Sequence, residues 1–252
     1  MENRELVRLA EWIAQSDNIV FFGGAGVSTE SGIPDFRSAD GIYNTQRVYG
    51  RSPEELLSHS FFVAHPEEFY EYYKKNLVFR EAQPNACHKA LAEWEAAGKV
   101  RAVVTQNIDG LHQKAGSRKV LELHGSIRRN YCMKCGRPFG EDAVLNAPGV
   151  PRCPDCGGII RPDVVLYEEA LDGDVLEAAL TAIAAADILI VGGTSLVVYP
   201  AAGLVRYYGG KKLVLMNRDK TSFDSRANLI IREPIAQSFG EIMGLVKNIE
   251  KN

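Results

Sequence analysis

Residues 23–38 of this 252-residue chain, GGAGVSTESGIPDFRS, join a glycine turn to a polar loop interrupted by proline. The apolar run at 19–22 (IVFF) reads as a strand, after which Gly24-Ala25-Gly26 allows a sharp turn and a close approach of backbone to a ligand. A helix opening over Thr29–Gly32 would aim free N–H groups at an anion. A hydride-transferring oxidoreductase would complete G-x-G-x-x-G with a third glycine, where this chain has Thr29. Pro34 then stops regular structure and leaves Asp35, Phe36 and Arg37 on a loop beside the nucleotide. A ring and a guanidinium there suit a cofactor that is consumed rather than merely held.

Polar residues recur after the other apolar runs. Gln106, Asn107 and Asp109 follow the run at 101–105 and offer two amides and a carboxylate to a carboxamide or a ribose. Any one of them could be an ordinary Asx turn. Together at a strand end they point to a ligand, because open α/β sheets bind ligands beyond the carboxyl ends of their strands. His124 follows the run at 120–123 and precedes Gly125. An imidazole there titrates near neutrality and suits a general base, with Gly125 freeing backbone space beside it. His59, His65, His88 and His112 read as structural. Gly193-Thr194-Ser195 and Asn217 close two further runs, with groups that suit phosphate or ribose.

Cys132-Met-Lys-Cys135 and Cys153-Pro-Asp-Cys156 form two C-x2-C knuckles, each on a glycine-containing turn. Four converging thiolates favour tetrahedral Zn²⁺ over an iron–sulfur cluster or a redox dithiol. A full sulfur shell leaves no open position, so the zinc is structural and helps fold a small lobe. Cys87, the fifth cysteine, reads as a small apolar filler.

The elements that must position these groups alternate. Strands are expected at 19–22, 101–105, 120–123, 188–191, 213–216 and 229–231. Helices are expected at 3–15, 66–82, 86–97, 174–185, 200–207 and 238–250, with a short one capped by Ser52 and Pro53. Runs that are apolar throughout belong to strands covered on both faces, so the fold class is α/β, a Rossmann-like doubly wound parallel sheet. Two stretches depart from it: 38–82, helical and aromatic-rich, and 126–160, which holds the cysteines. They are expected to form a smaller lobe, helical insertion plus zinc ribbon, beside a large lobe of 1–37, 83–125 and 161–252. All of 1–252 then makes one catalytic domain.

A net charge of −3 with scattered lysines and arginines gives no footprint for nucleic acid. The longest apolar region, 178–205, is broken by Asp187, Gly192-Gly193 and Pro200, which argues against a membrane span. A charged N-terminal segment and cysteines spaced for metal lead to the expectation of a cytoplasmic protein.

In this order GAGVSTESGIPDFR, TQNID, LHGS, the cysteine pairs, GTSLVVYPAA and LMN resemble the sirtuins, NAD-dependent protein lysine deacylases, over essentially the whole chain and in the short bacterial form. The resemblance implies that Ala25, Gly26, Ser28 and Thr29 line the diphosphate and ribose of NAD, with Phe36 and Arg37 over the nicotinamide ribose and phosphate. Gln106, Asn107, Ile108 and Asp109 would form the nicotinamide pocket, and Thr194, Ser195, Asn217 and Ile235 would hold the adenosine half. His124 would also touch the cofactor, as the catalytic base beside Asn107 and Asp109. It further implies attack of the acetyl oxygen on C1′ of the nicotinamide ribose and loss of nicotinamide. His124 would then take a ribose hydroxyl proton, giving free lysine and O-acetyl-ADP-ribose. Phe36, Val165, Val198 and Tyr199 would contact an acetyl-lysine peptide lying as an added strand between 164–168 and 197–200. The expected protein is a monomer. Mono-ADP-ribosyl transfer from the same pocket and a non-catalytic NAD-binding or zinc-ribbon module are the rival readings.

Two features of the resemblance are specific to this chain. Glu168 stands where the family often has glycine, next to the peptide strand. Members that remove succinyl or malonyl groups carry Tyr-x-x-Arg in the helical lobe, and the corresponding residues here are Tyr70 and Tyr73, with no cation. Neutral acyl groups, acetyl first, are therefore expected.

Overall fold

A computed structural model describes residues 3–35 and 49–251. Phe36 and Arg37, and the first part of the 38–82 insertion, lie outside the described residues. The strands are β1 (Ile19–Gly23), β2 (Val100–Thr105), β3 (Val120–Glu122), β4 (Gly125–Cys132), β5 (Pro138–Phe139), β6 (Ile160–Val164), β7 (Ile188–Gly192), β8 (Leu213–Met216) and β9 (Leu229–Ile231). Six of them form one parallel sheet in the order β3-β2-β1-β7-β8-β9.

Register explains why the polar turns meet. Gly23 lies opposite both Thr105 and Gly192, Thr105 opposite Glu122, and Gly192 opposite Met216. The strands therefore end level, and the chain after each one emerges at the same rim. Strand order reverses between β1 and β7, where such sheets open a crevice.

β1 and β7 are buried along their whole length because both sheet faces are covered. Helices Arg4–Ala14, Ala86–Ala96 and Ile235–Ile249 pack on one face, around Phe21, Trp94 and Phe239. Helix Gly173–Ala185 and the 3-10 segment Ala201–Tyr207 pack on the other, around Phe22, Ile183 and Val205.

Several element boundaries differ from expectation. Helix Pro66–Asn76 stops before 82: Asn76 Nδ2 donates back to the Tyr72 carbonyl at 2.9 Å, and the chain turns Leu77 and Phe79 toward the cleft. Helix Ile235–Ile249 starts one turn early because Glu30 Oε1 accepts from Ala236 N–H at 2.7 Å, a cap supplied from another part of the chain. The segment expected as a helix after Pro200 is a 3-10 turn, and Thr29–Ser31 is likewise a single 3-10 turn ended by Gly32.

A second, three-stranded antiparallel sheet, β5-β4-β6, was not expected from sequence. It packs against helices Pro53–Leu56, His59–Ala64 and Pro66–Asn76 through a third core that holds Phe62, Tyr70, Tyr72, Ile127 and Ile160. Ser52 does cap the first of these helices by accepting from Glu55 N–H.

His88 and His112 are fully buried with ring centroids 4.7 Å apart. His88 Nδ1 completes a capping box with Asn85, whereas His88 Nε2 and both nitrogens of His112 have no hydrogen-bond partner. Burial pushes His88 down to about 4, and burial with His88 alongside lowers His112. The unfolded chain takes up these protons below about pH 6.5, and the native protein does not. The pair therefore leaves stability intact above about pH 6.5 and costs about 1.4 kcal/mol per pH unit per histidine as pH falls toward 4. Urea midpoints measured from pH 7.5 to 4.5 are expected to fall, and less steeply for His112→Leu. A variant profile parallel to the wild type would exclude the pair as the cause.

Candidate active site and metal centre

The turns after β1 and β7 interlock. Gly193 has φ +59°, and a Cβ there would lie 2.4 Å from the backbone nitrogen of Val27. Only glycine lets the two turns approach so closely. Behind them Thr194 Oγ1 accepts from Gln106 Nε2 at 3.1 Å and from Leu196 N–H at 3.2 Å, tying the turn after β2 to the turn after β7.

A polar network follows from this packing. Ser28, buried, donates to Asp109 Oδ2 at 2.7 Å and accepts from Asn107 Nδ2 at 3.1 Å. Asp109 Oδ1 accepts from Leu111 N–H at 2.8 Å. Burial pushes the Asp109 carboxyl up, against the opposing pull of the Leu111 and Ser28 bonds. Those two donors fix its orientation and hold it toward the ionised form.

His124 Nδ1 lies 2.9 Å from the carbonyl oxygen of Gln106. A carbonyl only accepts, so Nδ1 carries the hydrogen and Nε2 keeps its lone pair. Burial lowers the imidazole, with the Gln106 bond acting against it. Gly125 does not simply free space beside the ring. Its φ is +74°, and a Cβ would lie 2.0 Å from the carbonyl oxygen of Asp163 on β6. The glycine lets β4 and β6 of the three-stranded sheet meet directly behind the histidine.

These groups face one cavity of about 440 Å³. Its wall includes Ala25, Gly26, Ser28, Gln106, Asn107, Ile108, Asp109, His124, Val165, Thr194, Ser195, Val198, Tyr199 and Asn217, all expected from sequence. Thr29 and Ile235 are not on that wall. The Thr29 hydroxyl turns back to donate to the Gly26 carbonyl at 3.0 Å, and Ile235 is buried in the core, where a Cβ on Gly192 would touch its Cδ1. Tyr73 and Leu166 fall in segments expected at the substrate, whereas sequence reasoning missed Leu57, Asn76, Leu77 and Phe79, which the helical insertion brings to the wall. The aromatic density of the insertion was their only signal. A wider, open hollow of about 720 Å³ beside Asn18, Arg101 and Lys119 lies at the amino ends of the strands and holds none of the expected site residues.

The four knuckle cysteines converge, with sulfur atoms all within 4.8 Å of one another. Cys132 and Cys156 Sγ are 3.4 Å apart, Cys135 and Cys153 Sγ 3.9 Å. Zinc–sulfur bonds of about 2.3 Å in a tetrahedron need sulfurs about 3.8 Å apart. Each knuckle is closed by a backbone bond, Gly136 N–H to Cys132 O and Gly157 N–H to Cys153 O, both 2.9 Å. The set fits one four-coordinate metal ion.

A model of the Sir2 family matches residues 24–200. The chain belongs to the Sir2 family. Among curated Sir2-family relatives, a Clostridium perfringens protein named NAD-dependent protein deacetylase is 56% identical over 94% of this chain and 97% of its own length. One of the same name from Clostridium acetobutylicum is 55% identical over 91% and 94%. A solved structure of Sir2 with a p53 peptide and NAD⁺ superposes with a TM-score of 0.82 at 39% identity, covering 97% of this chain and 98% of that one. A Sir2 homologue in complex with NAD gives 0.85 at 38%, covering 96% and 94%. Among the described residues of this Sir2-family chain, no helix is long and apolar enough to cross a membrane.

Proposed function

We propose that the chain removes acetyl and other neutral acyl groups from protein lysine at the expense of NAD, releasing nicotinamide, O-acetyl-ADP-ribose and free lysine. The observation that carries this reading is the His124 tautomer. Its Nδ1 hydrogen is held by Gln106 O, and its unprotonated Nε2 is left free beside the Ser28–Asn107–Asp109 network. NAD supplies a glycosidic bond whose cleavage leaves an electrophilic ribose carbon.

The chain's own residues do the rest. Ala25, Gly26, Thr194 and Ser195 receive phosphate and ribose at the interlocked turns, with Asn217 on the adenosine side. Arg37 and Phe36, outside the described residues, are assigned to the nicotinamide ribose and phosphate by family resemblance alone. Gln106, Asn107, Ile108 and Asp109 orient the nicotinamide ribose, and His124 Nε2 accepts a ribose hydroxyl proton. Leu77, Phe79 and Val165 exclude water, which strengthens each polar contact inside. The acyl-lysine peptide enters between 164–168 and 197–200, with Val198 and Tyr199 on the far lip.

The large lobe of 1–37, 83–125 and 161–252 and the small lobe of 38–82 and 126–160 are joined by β6, which leads from the metal ribbon to the lip. Zinc is the metal the four sulfurs suit. A cytoplasmic location is our expectation, on four of the five cysteines being gathered for a metal. A monomer is our expectation, and a net charge of −3 with scattered lysines and arginines favours no nucleic-acid partner. Mono-ADP-ribosyl transfer is not favoured, since the relatives are named deacetylases. Nicotinamide release from NAD that depends on an acetyl-lysine peptide tests the reading, and radiolabelled NAD leaving stoichiometric label on protein would contradict it.

Acyl choice follows from the helical insertion. The Tyr70 hydroxyl donates to the Ile160 carbonyl at 2.6 Å and is not free for a substrate, and Tyr73 contributes no charge. Among the described residues of the wall there is no lysine or arginine. A succinyl carboxylate would be buried without a cation, at a cost of several kcal/mol. Acetyl peptide is expected to exceed succinyl peptide in kcat/KM by at least about 100-fold, read by mass spectrometry. Equal efficiency on the two would refute the assignment.

A further inference from the structure

Glu168 occupies a backbone position that favours glycine, with φ +75°. Its Oε2 accepts both the Ser60 N–H at 2.9 Å and the Ser60 hydroxyl at 2.6 Å. The backbone beside it is laced to the same helical segment, His59 N–H donating to Tyr167 O and Tyr167 N–H to Leu57 O, each at 3.0 Å. The carboxylate is therefore fixed in the cavity wall, at the exposed end of the segment leading from β6. The two Ser60 bonds hold its carboxyl below the usual carboxylate range, so it is charged at neutral pH.

The Ser60 contact does not account for that charge. A glutamine could accept the same two bonds, and a glycine would relieve the backbone. Glu169 next door is paired with Arg161 and with His59, whereas no lysine or arginine pairs with Glu168 among the described residues. Among the described residues, the wall around it holds no lysine or arginine.

We propose that Glu168 is a specificity-determining residue that selects protein substrates carrying a lysine or arginine within two positions of the acyl-lysine. The proposal rests on the reading of 164–168 as one lip of the peptide groove. A peptide strand seated there passes beside a fixed carboxylate that, among the described residues, has no lysine or arginine against it. A flanking guanidinium or ammonium supplies the countercharge, and a flanking carboxylate is repelled.

The test uses the full chain, NAD and three acetyl-lysine peptides identical except for arginine, alanine or glutamate at the flanking positions. At low ionic strength kcat/KM is expected to be about threefold higher for the arginine than the alanine peptide, and about tenfold higher than for the glutamate peptide, with the difference in KM. It should shrink in 0.5 M salt. Glu168→Gln is expected to level the three peptides and Glu168→Lys to reverse their order. Because each ratio is taken within one variant, a general loss of activity cancels, and if the lysine variant fails to fold the glutamine variant alone decides. A wild type indifferent to flanking charge, or a glutamine variant that keeps the preference, overturns the proposal and leaves the deacylase reading standing. No turnover of any acetyl peptide overturns both.

Discussion

His124→Ala is expected to lower acetyl-peptide turnover by about 10²- to 10⁴-fold, the usual contribution of a positioned general base. The geometry makes the loss specific. Nδ1 is committed to the Gln106 carbonyl, so the ring presents a single lone pair, and the neighbouring acid Asp109 is already engaged by Ser28 and Leu111. Alanine leaves nothing at that place to take a proton. Stability should change little, because one hydrogen bond of a half-buried ring is lost, about 1 kcal/mol. The measurements are peptide-dependent nicotinamide and deacetylated-peptide formation, beside a thermal midpoint. Because burial lowers the imidazole, the wild type should keep the base neutral to below pH 6.5, so the acid limb of kcat should fall at lower pH than for a free histidine. A variant that forms deacetylated peptide at the wild-type steady-state rate would remove His124 from the mechanism.

The second large effect concerns the ribbon. Cys153→Ser is expected to release the metal and unfold the β5-β4-β6 sheet. Structural zinc contributes roughly 10–16 kcal/mol to the folding of small ribbons, far more than this sheet's few apolar contacts supply. The damage should reach the cleft, since β6 runs from the knuckles to Val165 and β4 begins at Gly125, next to His124. Metal content near zero, proteolytic cleavage between 133 and 158, and turnover reduced more than tenfold are the expected readings, with the six-stranded sheet protected. Cys87→Ala is the comparison, as Cys87 is buried in the first core and should keep its metal. A serine variant with full metal and full turnover would show the four sulfurs to be dispensable.

The parallel sheet was legible because β1, β7 and β8 are apolar throughout, as strands covered on both faces must be. Most of the cleft was legible for a related reason: polar residues directly after such strands have one rim to occupy. The second sheet was hidden because β4 carries Arg128, Arg129 and Asn130 in a row and is irregular between Ser126 and Asn130, which erases alternation. The early start of helix Ile235–Ile249 was hidden because its cap, Glu30, is 206 residues away. The wall from Asn76 to Phe79 was missed because a side chain's return bond to Tyr72, not a proline or glycine, ends the helix there. The role given to Gly125 was incomplete because the carbonyl of Asp163, which demands it, belongs to a strand that was itself unseen.

The peptide nitrogen of Val165 donates to the carbonyl of His124 at 3.0 Å. On the proposed function, the surface assigned to the acyl chain and the residue assigned to move the proton are thus rigidly yoked. Enlarging the enzyme's appetite by pushing back Val165 would drag the imidazole with it and slow even the smallest substrate. Room for longer chains can be opened without that penalty on the opposite side, at Leu77 and Phe79, whose segment is not bonded to the base.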